Sequence, residues 1–206
     1  MRLIVESPAP DLKNSLLYYK RLGFQCVEWE DVYLCQTKQL CILLNPDPHS
    51  RPCINLFGVQ TQKTELSPSG TRIKQLKKNV LIPQVEHKSL FGNYNGVCLE
   101  TLDLNASYLF WQAKGFKGGL AAQATWCSLE HESGAVISLL KANHCPHLFV
   151  NPSLAFFNGT KNSAVIKQIK TLQIPIQQEV IFGKETLANN LVLSDPGGIG
   201  FFIFND

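Results

Sequence analysis

The sequence predicts an α+β fold assembled from tandem βαβββ modules. Three observations carry that expectation. Residues 11–24 repeat at 103–116 without a gap, short strand-like apolar runs recur between turn residues, and the composition is that of a globular chain. The 206 residues are 45% hydrophobic and 17% charged, which lies outside the range of disordered chains. A chain of this length removes roughly 70% of its surface from water on folding, enough for a substantial core.

The repeat fixes the first elements. Asp11 to Phe24 reads DLKNSLLYYKRLGF, and Asp103 to Phe116 reads DLNASYLFWQAKGF. In that register Asp11 meets Asp103, Leu12 meets Leu104, Ser15 meets Ser107 and Leu17 meets Leu109. The aromatic pair Tyr18-Tyr19 falls on Phe110-Trp111, and Gly23-Phe24 on Gly115-Phe116. Each match has a physical role. An aspartate before an apolar-periodic run can accept from the free first-turn N–H groups and so cap a helix. Leu12, Leu16 and Tyr19 share one helical stripe, as do Leu104, Tyr108 and Trp111. A glycine after the last turn supplies the left-handed residue that ends a helix. A strand at Met1–Glu6 precedes the first helix. Strands are expected at Phe24–Trp29, Val32–Gln36 and Leu40–Leu44 after it, and at Leu120–Ala122, Ala124–Leu129 and Ala135–Leu140 after the second helix.

Between the copies lies a looser module, with a strand expected at Cys53–Val59, a helix at Thr71–Asn79 and a strand near Val80–Val85. Arg72, Lys74, Lys77 and Lys78 then read as the solvated face of that helix, opposite Ile73, Leu76 and Val80. A fuller module closes the chain. It comprises a strand at Leu154–Phe157, a helix at Asn162–Leu172 with Val165, Ile169 and Leu172 on one face, strands at Ile176–Phe182 and Asn190–Leu193, the Asp195-Pro196-Gly197-Gly198 turn and a strand at Ile199–Phe204. The expected organisation is an N-terminal βαβββ pair over 1–92, its second module eroded, and a C-terminal pair over 93–206.

Pro10-Asp11-Leu12, Tyr18-Tyr19, Leu22-Gly23-Phe24 and Asp195-Pro196-Gly197-Gly198 together resemble the vicinal-oxygen-chelate superfamily, the glyoxalase, bleomycin-resistance and dioxygenase group. The resemblance implies a curved mixed sheet around a cleft that holds a small molecule, often with a metal ion. The family's metal-ligand positions, counted from the two capping aspartates and the final turn, fall on Ile4, Gly96, Ile42, Ser138 and Phe202. None of these side chains can hold a divalent cation in the way carboxylate and imidazole do, so no metal and no cofactor is expected. Strand alternation turns Ile4 and Glu6 to one side of the first strand, and Cys98 and Glu100 to the corresponding side of the strand before the second helix. The expected ligand-binding set is therefore Ile4, Glu6, Cys98, Glu100, Ser138 and Phe202, with Ile42 also on the cleft wall and no catalytic residue assigned. A carboxylate in a partly dry cleft could act as a base or as an acceptor, and the plainer reading of Glu6 and Glu100 is a strand end in water. The function expected from the resemblance is metal-independent binding of a small molecule, in the manner of drug-sequestering members. A divergent lyase, isomerase or oxygenase is the alternative, and a partner-binding remnant with a filled cleft is the third.

Other features narrow the class. A net charge of +3 with scattered basic residues gives no footprint for nucleic acid. No run approaches a membrane span, and the apolar start is too short for a secretory signal. Seven cysteines without such a signal are expected as free thiols in a cytoplasmic protein. The partner expected is a small molecule, and a homodimer is the assembly entertained. His144-Cys145-Pro146-His147 reads as a polar linker between modules, since a structural zinc site needs a second ligand pair. His131, between Glu130 and Glu132, reads as an exposed hairpin turn. Gly197-Gly198-Ile199-Gly200 leads into a strand and so is not a phosphate cradle.

Overall fold

The computed structural model describes residues 1–80, 85–181 and 187–205. Among the described residues, two seven-stranded mixed sheets carry three α-helices, and neither sheet closes into a barrel. The first sheet, sheet A, contains β1 (Arg2–Pro8), β2 (Gln25–Trp29), β3 (Val32–Gln36), β4 (Cys41–Asn45), β5 (Cys53–Phe57), β6 (Lys63–Leu66) and β7 (Arg72–Leu76), in the order β2-β3-β4-β1-β5-β7-β6. Sheet B contains β8 (Tyr94–Thr101), β9 (Trp126–Glu130), β10 (Val136–Lys141), β11 (Ser153–Phe157), β12 (Gln178–Val180), β13 (Asn190–Ser194) and β14 (Gly200–Phe204), in the order β12-β13-β14-β11-β8-β10-β9. The helices are α1 (Leu12–Arg21), α2 (Leu104–Gln112) and α3 (Asn162–Thr171).

The modules differ in completeness. In the first and last, a helix crosses between two parallel strands, β1 to β4 and β11 to β14, with two antiparallel strands filling the rest. The α2 module keeps the parallel pair β8–β10 and one antiparallel neighbour, β9. Its expected first strand at Leu120–Ala122 does not form, and only an isolated bridge from Lys117 to Glu130 stands in its place. The β5–β7 module has lost its helix. Residues expected to be helical form β7 instead, parallel to β5. Ile73 and Leu76 suggest a helical stripe, but Ile73 packs into the main core and Leu76 against the other side of the sheet. A strand buried on both faces imitates helical spacing. Val80–Val85, expected as a strand, falls largely outside the described residues.

The repeat folds as its chemistry dictates. Asp11 accepts from the Asn14 amide at 3.1 Å and Asp103 from the Ala106 amide at 2.9 Å. Gly23 and Gly115 end their helices at φ of 85° and 87°. Tyr19 and Trp111 are fully buried, each edge-on to the phenylalanine that follows its glycine.

The helices and the helix-facing sides of both sheets share one continuous core. Its polar fastener is Asp195, in the turn before β14. The buried carboxylate accepts from Tyr19 Oη at 2.6 Å, from Ser7 Oγ at 2.5 Å, and from the Gly197 and Ile199 amides at 3.0 and 2.7 Å. Four donors satisfy a buried carboxylate. They also tie the last turn to the first strand and first helix.

Cys26 and Cys35 form a disulfide across β2–β3, so the expectation of seven free thiols fails for this pair. They are direct cross-strand partners with Cα atoms 4.1 Å apart. Cys41, Cys53, Cys98, Cys127 and Cys145 are free. Thiol titration in denaturant without reductant should find five, rising to seven after reduction. Seven before reduction would contradict the cross-link.

Candidate functional site

Strand alternation gives each sheet a face turned away from its helices, here called the open face. Ile4 and Glu6 lie on the open face of sheet A, and Cys98, Glu100, Ser138 and Phe202 on that of sheet B. The six expected residues thus divide between two surfaces. Ile42 is on neither, because it pairs with Val5 on the helix side and belongs to the main core.

On sheet A the open face is largely filled by its own side chains. Ile4, Leu34, Leu43, Phe57 and Val80 form a second apolar cluster, flanked by Trp29 and Leu76. Glu6 lies beside it, buried and not in water. Its carboxylate accepts from Asn45 Nδ2 at 2.8 Å, from Asn55 Nδ2 at 3.0 Å and from Lys74 Nζ at 3.0 and 2.9 Å. Lys74 belongs to the charge cluster read as a solvated helix face; as part of β7 it reaches across the sheet to Glu6. Burial raises the Glu6 carboxyl, but the hydrogen bonds from Asn45, Lys74 and Asn55 and the Lys74 charge outweigh it and hold it below its ordinary value. A lowered carboxyl contributes stability that is present above the unfolded value of 4.5 and lost as pH falls through the folded one. Glu6→Gln should therefore flatten the fall in melting temperature below about pH 4.5. At neutral pH it should cost about 3 kcal/mol by leaving Lys74 without its partner. An unchanged acid limb would show that Glu6 is not held this way.

Sheet B presents different chemistry. Phe157, Phe202 and Phe204, from β11 and β14, form a row on the open face. Phe157 and Phe204 have centroids 5.4 Å apart, and Phe202 and Phe204 stack at 5.0 Å with 6° between their planes. The His144–Leu148 segment continues this row. His147 stacks on Phe202 at 4.1 Å, its Nδ1 donates to the Leu148 carbonyl at 2.8 Å, and the Leu148 amide donates to Gln178 Oε1 at 2.6 Å. The row stays half-exposed, with Phe157 at 44%.

Polar groups lie past the Phe202 end of the row. Ser138 pairs with Cys98 across β8–β10 and hydrogen-bonds its sulfur. Burial pushes the Cys98 thiol up to about 12, with Cys145 adding to the rise. Cys145 is also raised by burial, and further by the nearby Glu100 carboxylate, while burial lowers the His147 imidazole. The Cys145 sulfur sits 3.3 and 3.5 Å from the two ring nitrogens of His147. Since Nδ1 donates to the Leu148 carbonyl, Nε2 is the nitrogen that can accept from the thiol. The raised thiol and the lowered imidazole both favour the neutral forms. His131, expected in water, is buried at the β9–β10 turn, with Nδ1 bonded to Ser133 and its ring against Phe116.

Of the expected residues, the structure therefore gathers Cys98, Glu100, Ser138 and Phe202 on one face. It adds Cys145, His147, Phe157 and Phe204, which the sequence reading missed. Phe202 and Phe204 share parity on one strand, and that was the available signal. Grooves also lie elsewhere, one of about 660 Å³ beside α3 and one of about 330 Å³ beside the β3–β4 turn. Neither is lined by any of the six expected residues.

No family model matches the chain, and no curated protein sequence matches it. Solved structures do. A mutant of homoprotocatechuate 2,3-dioxygenase from Brevibacterium fuscum superposes with a TM-score of 0.65 at 12% identity, over 98% of this chain and 70% of that one. A catechol 2,3-dioxygenase gives 0.56 at 11% identity, over 97% and 90%, and the halotolerant catechol dioxygenase BphC gives 0.53 at 12%, over 97% and 84%. The fold is the vicinal-oxygen-chelate fold.

Within the vicinal-oxygen-chelate fold the metal positions can be tested against the packing. Gly96, on β8, has no room for a ligating side chain, since a Cβ there would lie 2.9 Å from both the Cβ and the carbonyl oxygen of Val136. Ser138 faces Cys98, and Phe202 is stacked in the aromatic row. Two imidazoles and a carboxylate, the usual donors for non-haem iron, are missing from these positions. Among the described residues no three His, Cys, Asp or Glu side chains are grouped to hold a metal ion. The residues present do not fit the metal that the fold family implies.

Proposed function

We propose that the chain binds a flat aromatic small molecule, neutral or anionic, on the open face of sheet B without a resident metal ion. The stacked, half-exposed row from His147 through Phe202 and Phe204 to Phe157 carries this reading. Aromatic faces offer stacking area with little rotamer entropy to lose. Cys98, Ser138 and Glu100 supply the few polar groups that fix orientation in a small-molecule site. Glu100 is the one acid among them, which disfavours a site built for bulky cations.

Ring-cleaving oxygenase chemistry is the second reading, favoured by the solved relatives. Against it stands the donor set at Gly96, Ser138 and Phe202.

A thermal-shift series with 2-naphthol, naphthalene-2-carboxylate and a naphthyl trimethylammonium salt tests the proposal. A ligand at a hundred times its dissociation constant adds about 2.7 kcal/mol, which for a chain of this size raises the melting temperature by roughly 5–10 °C. The first two compounds should produce that shift in the presence of a chelator, and Phe202→Ala with Phe204→Ala should abolish it. A shift with the cation alone overturns the electrostatic part. No shift with any compound overturns the reading in favour of a partner-binding remnant. A shift abolished by the chelator favours the metal-dependent alternative.

A further inference from the structure

A groove lies on the first sheet, away from the aromatic row. The groove beside the β3–β4 turn has a volume of about 330 Å³ and is lined by Arg2, Gln36, Thr37, Lys38, Cys41 and Glu86, among others. That volume falls within the range of small-molecule sites. Most of its polar groups already have partners. Lys38 Nζ pairs with Glu86 at 2.9 Å, and Thr37 Oγ accepts from the Gln39 and Leu40 amides at 3.4 and 3.2 Å. Burial keeps the Cys41 thiol neutral, pushed up to about 12.

Two groups are left over. Gln36 is 2% exposed, and its Oε1 has no hydrogen-bond partner among the described residues. A buried acceptor without a donor is an uncompensated loss of hydration, and native structures rarely leave one unless something else supplies the donor. Arg2 shares the open face with Ile4 and Glu6, yet no carboxylate lies within ion-pair distance of its guanidinium among the described residues. A guanidinium is a rigid fork matched to carboxylate geometry. The groove therefore offers one buried acceptor and one free cation, with its other charges neutralised internally.

We infer that this groove binds a small carboxylic acid bearing a hydroxyl or amide N–H, the carboxylate on Arg2 and the donor on Gln36 Oε1. The Lys38–Glu86 pair forms part of the wall and adds no net charge. The site is independent of the aromatic row, so neither reading depends on the other.

The probes are mandelate, phenylacetate, which lacks the hydroxyl, and mandelamide, which lacks the charge. Binding is read by titration calorimetry on the whole chain. Mandelate should bind saturably, and phenylacetate roughly tenfold more weakly, the size expected when an orphan acceptor stays unpaired. Gln36→Leu should erase that difference between the two acids. The variant is expected to fold, since an apolar side chain replaces a polar one that lacks a partner. Arg2→Gln should weaken mandelate about tenfold and leave mandelamide unchanged. Neither variant should alter naphthalene-2-carboxylate binding. The inference is overturned by absence of saturable mandelate binding, by equal affinity for the two acids in the wild type, or by a mandelate preference that survives in Gln36→Leu.

Discussion

Asp195→Ala is expected to lower the melting temperature by roughly 10–15 °C. The substitution leaves Tyr19 Oη, Ser7 Oγ and the Gly197 and Ile199 amides without their acceptor. A buried donor stripped of its partner costs about 1–3 kcal/mol, so a total of about 3–5 kcal/mol is reached even if water rescues some of the four. At about 2–4 °C per kcal/mol for a chain of this length, the shift is large and measurable by calorimetry. The pH dependence separates this site from Glu6. Burial raises the Asp195 carboxyl, and hydrogen bonds from Ser7, Tyr19, Ile199 and Gly197 only partly offset it. A raised carboxyl binds its proton more tightly in the folded state. Its contribution is complete below the unfolded value and is lost as pH rises through the folded one. Asp195→Asn should remove that slope, where Glu6→Gln removes the opposite one. A shift under about 2 °C for Asp195→Ala would show that the fastener contributes little.

Trp111→Ala should cost about 3–5 kcal/mol, the usual range for truncating a large buried aromatic. That is a large part of a typical stability of about 5–15 kcal/mol. The ring is fully buried, edge-on to Phe116 at 5.2 Å and to Phe110 at 5.5 Å. Its Nε1 has no partner among the described residues, so Trp111→Phe should cost much less by removing an unpaired donor with most of the apolar bulk retained. Chemical denaturation of both variants decides the matter. Equal costs would assign the energy to the N–H, and a cost for alanine below about 1 kcal/mol would remove Trp111 from the core.

The repeat made most of the fold legible. Caps, aromatic pairs and terminating glycines are local chemistry, so Asp11, Asp103, Gly23 and Gly115 announce their helices. What went unread depended on partners distant in sequence. Ile73 and Leu76 have a spacing that suits a helix face or the two faces of a strand, and only the neighbouring strand β5 decides between them. The disulfide was within reach. A two-residue turn at Glu30-Asp31 pairs Trp29 with Val32 and hence Cys26 with Cys35, whereas the number of cysteines alone says nothing of which are neighbours. Four of the six expected site residues share a face because strand parity is a sequence property. Which linker folds over that face is not, and so Cys145 and His147 read from sequence only as a polar connection. Glu6 was placed on the correct side of its strand, but its three side-chain partners are 39 to 68 residues away and cannot be inferred from strand parity.

The two sheets are also fastened crosswise. Tyr18 and Tyr19, on the first helix, lie against Phe201 of the last strand, and Arg21 donates to the Leu172 carbonyl after the third helix. In return, Lys114 at the end of the second helix reaches Glu65 on β6 at 3.0 Å. Phe91, in the connection between the sheets, packs on both Phe156 and Phe201. Neither half can therefore complete its interior alone, although each has a sheet and a helix of its own. Separately expressed halves would each present bare aromatic surface, and mixing them should restore one cooperative melting transition through complementation. Folding of the intact chain must also bring residue 7 to residue 195 before its main fastener forms. Such wide loop closure slows the search and delays final locking until residue 195 has been synthesised.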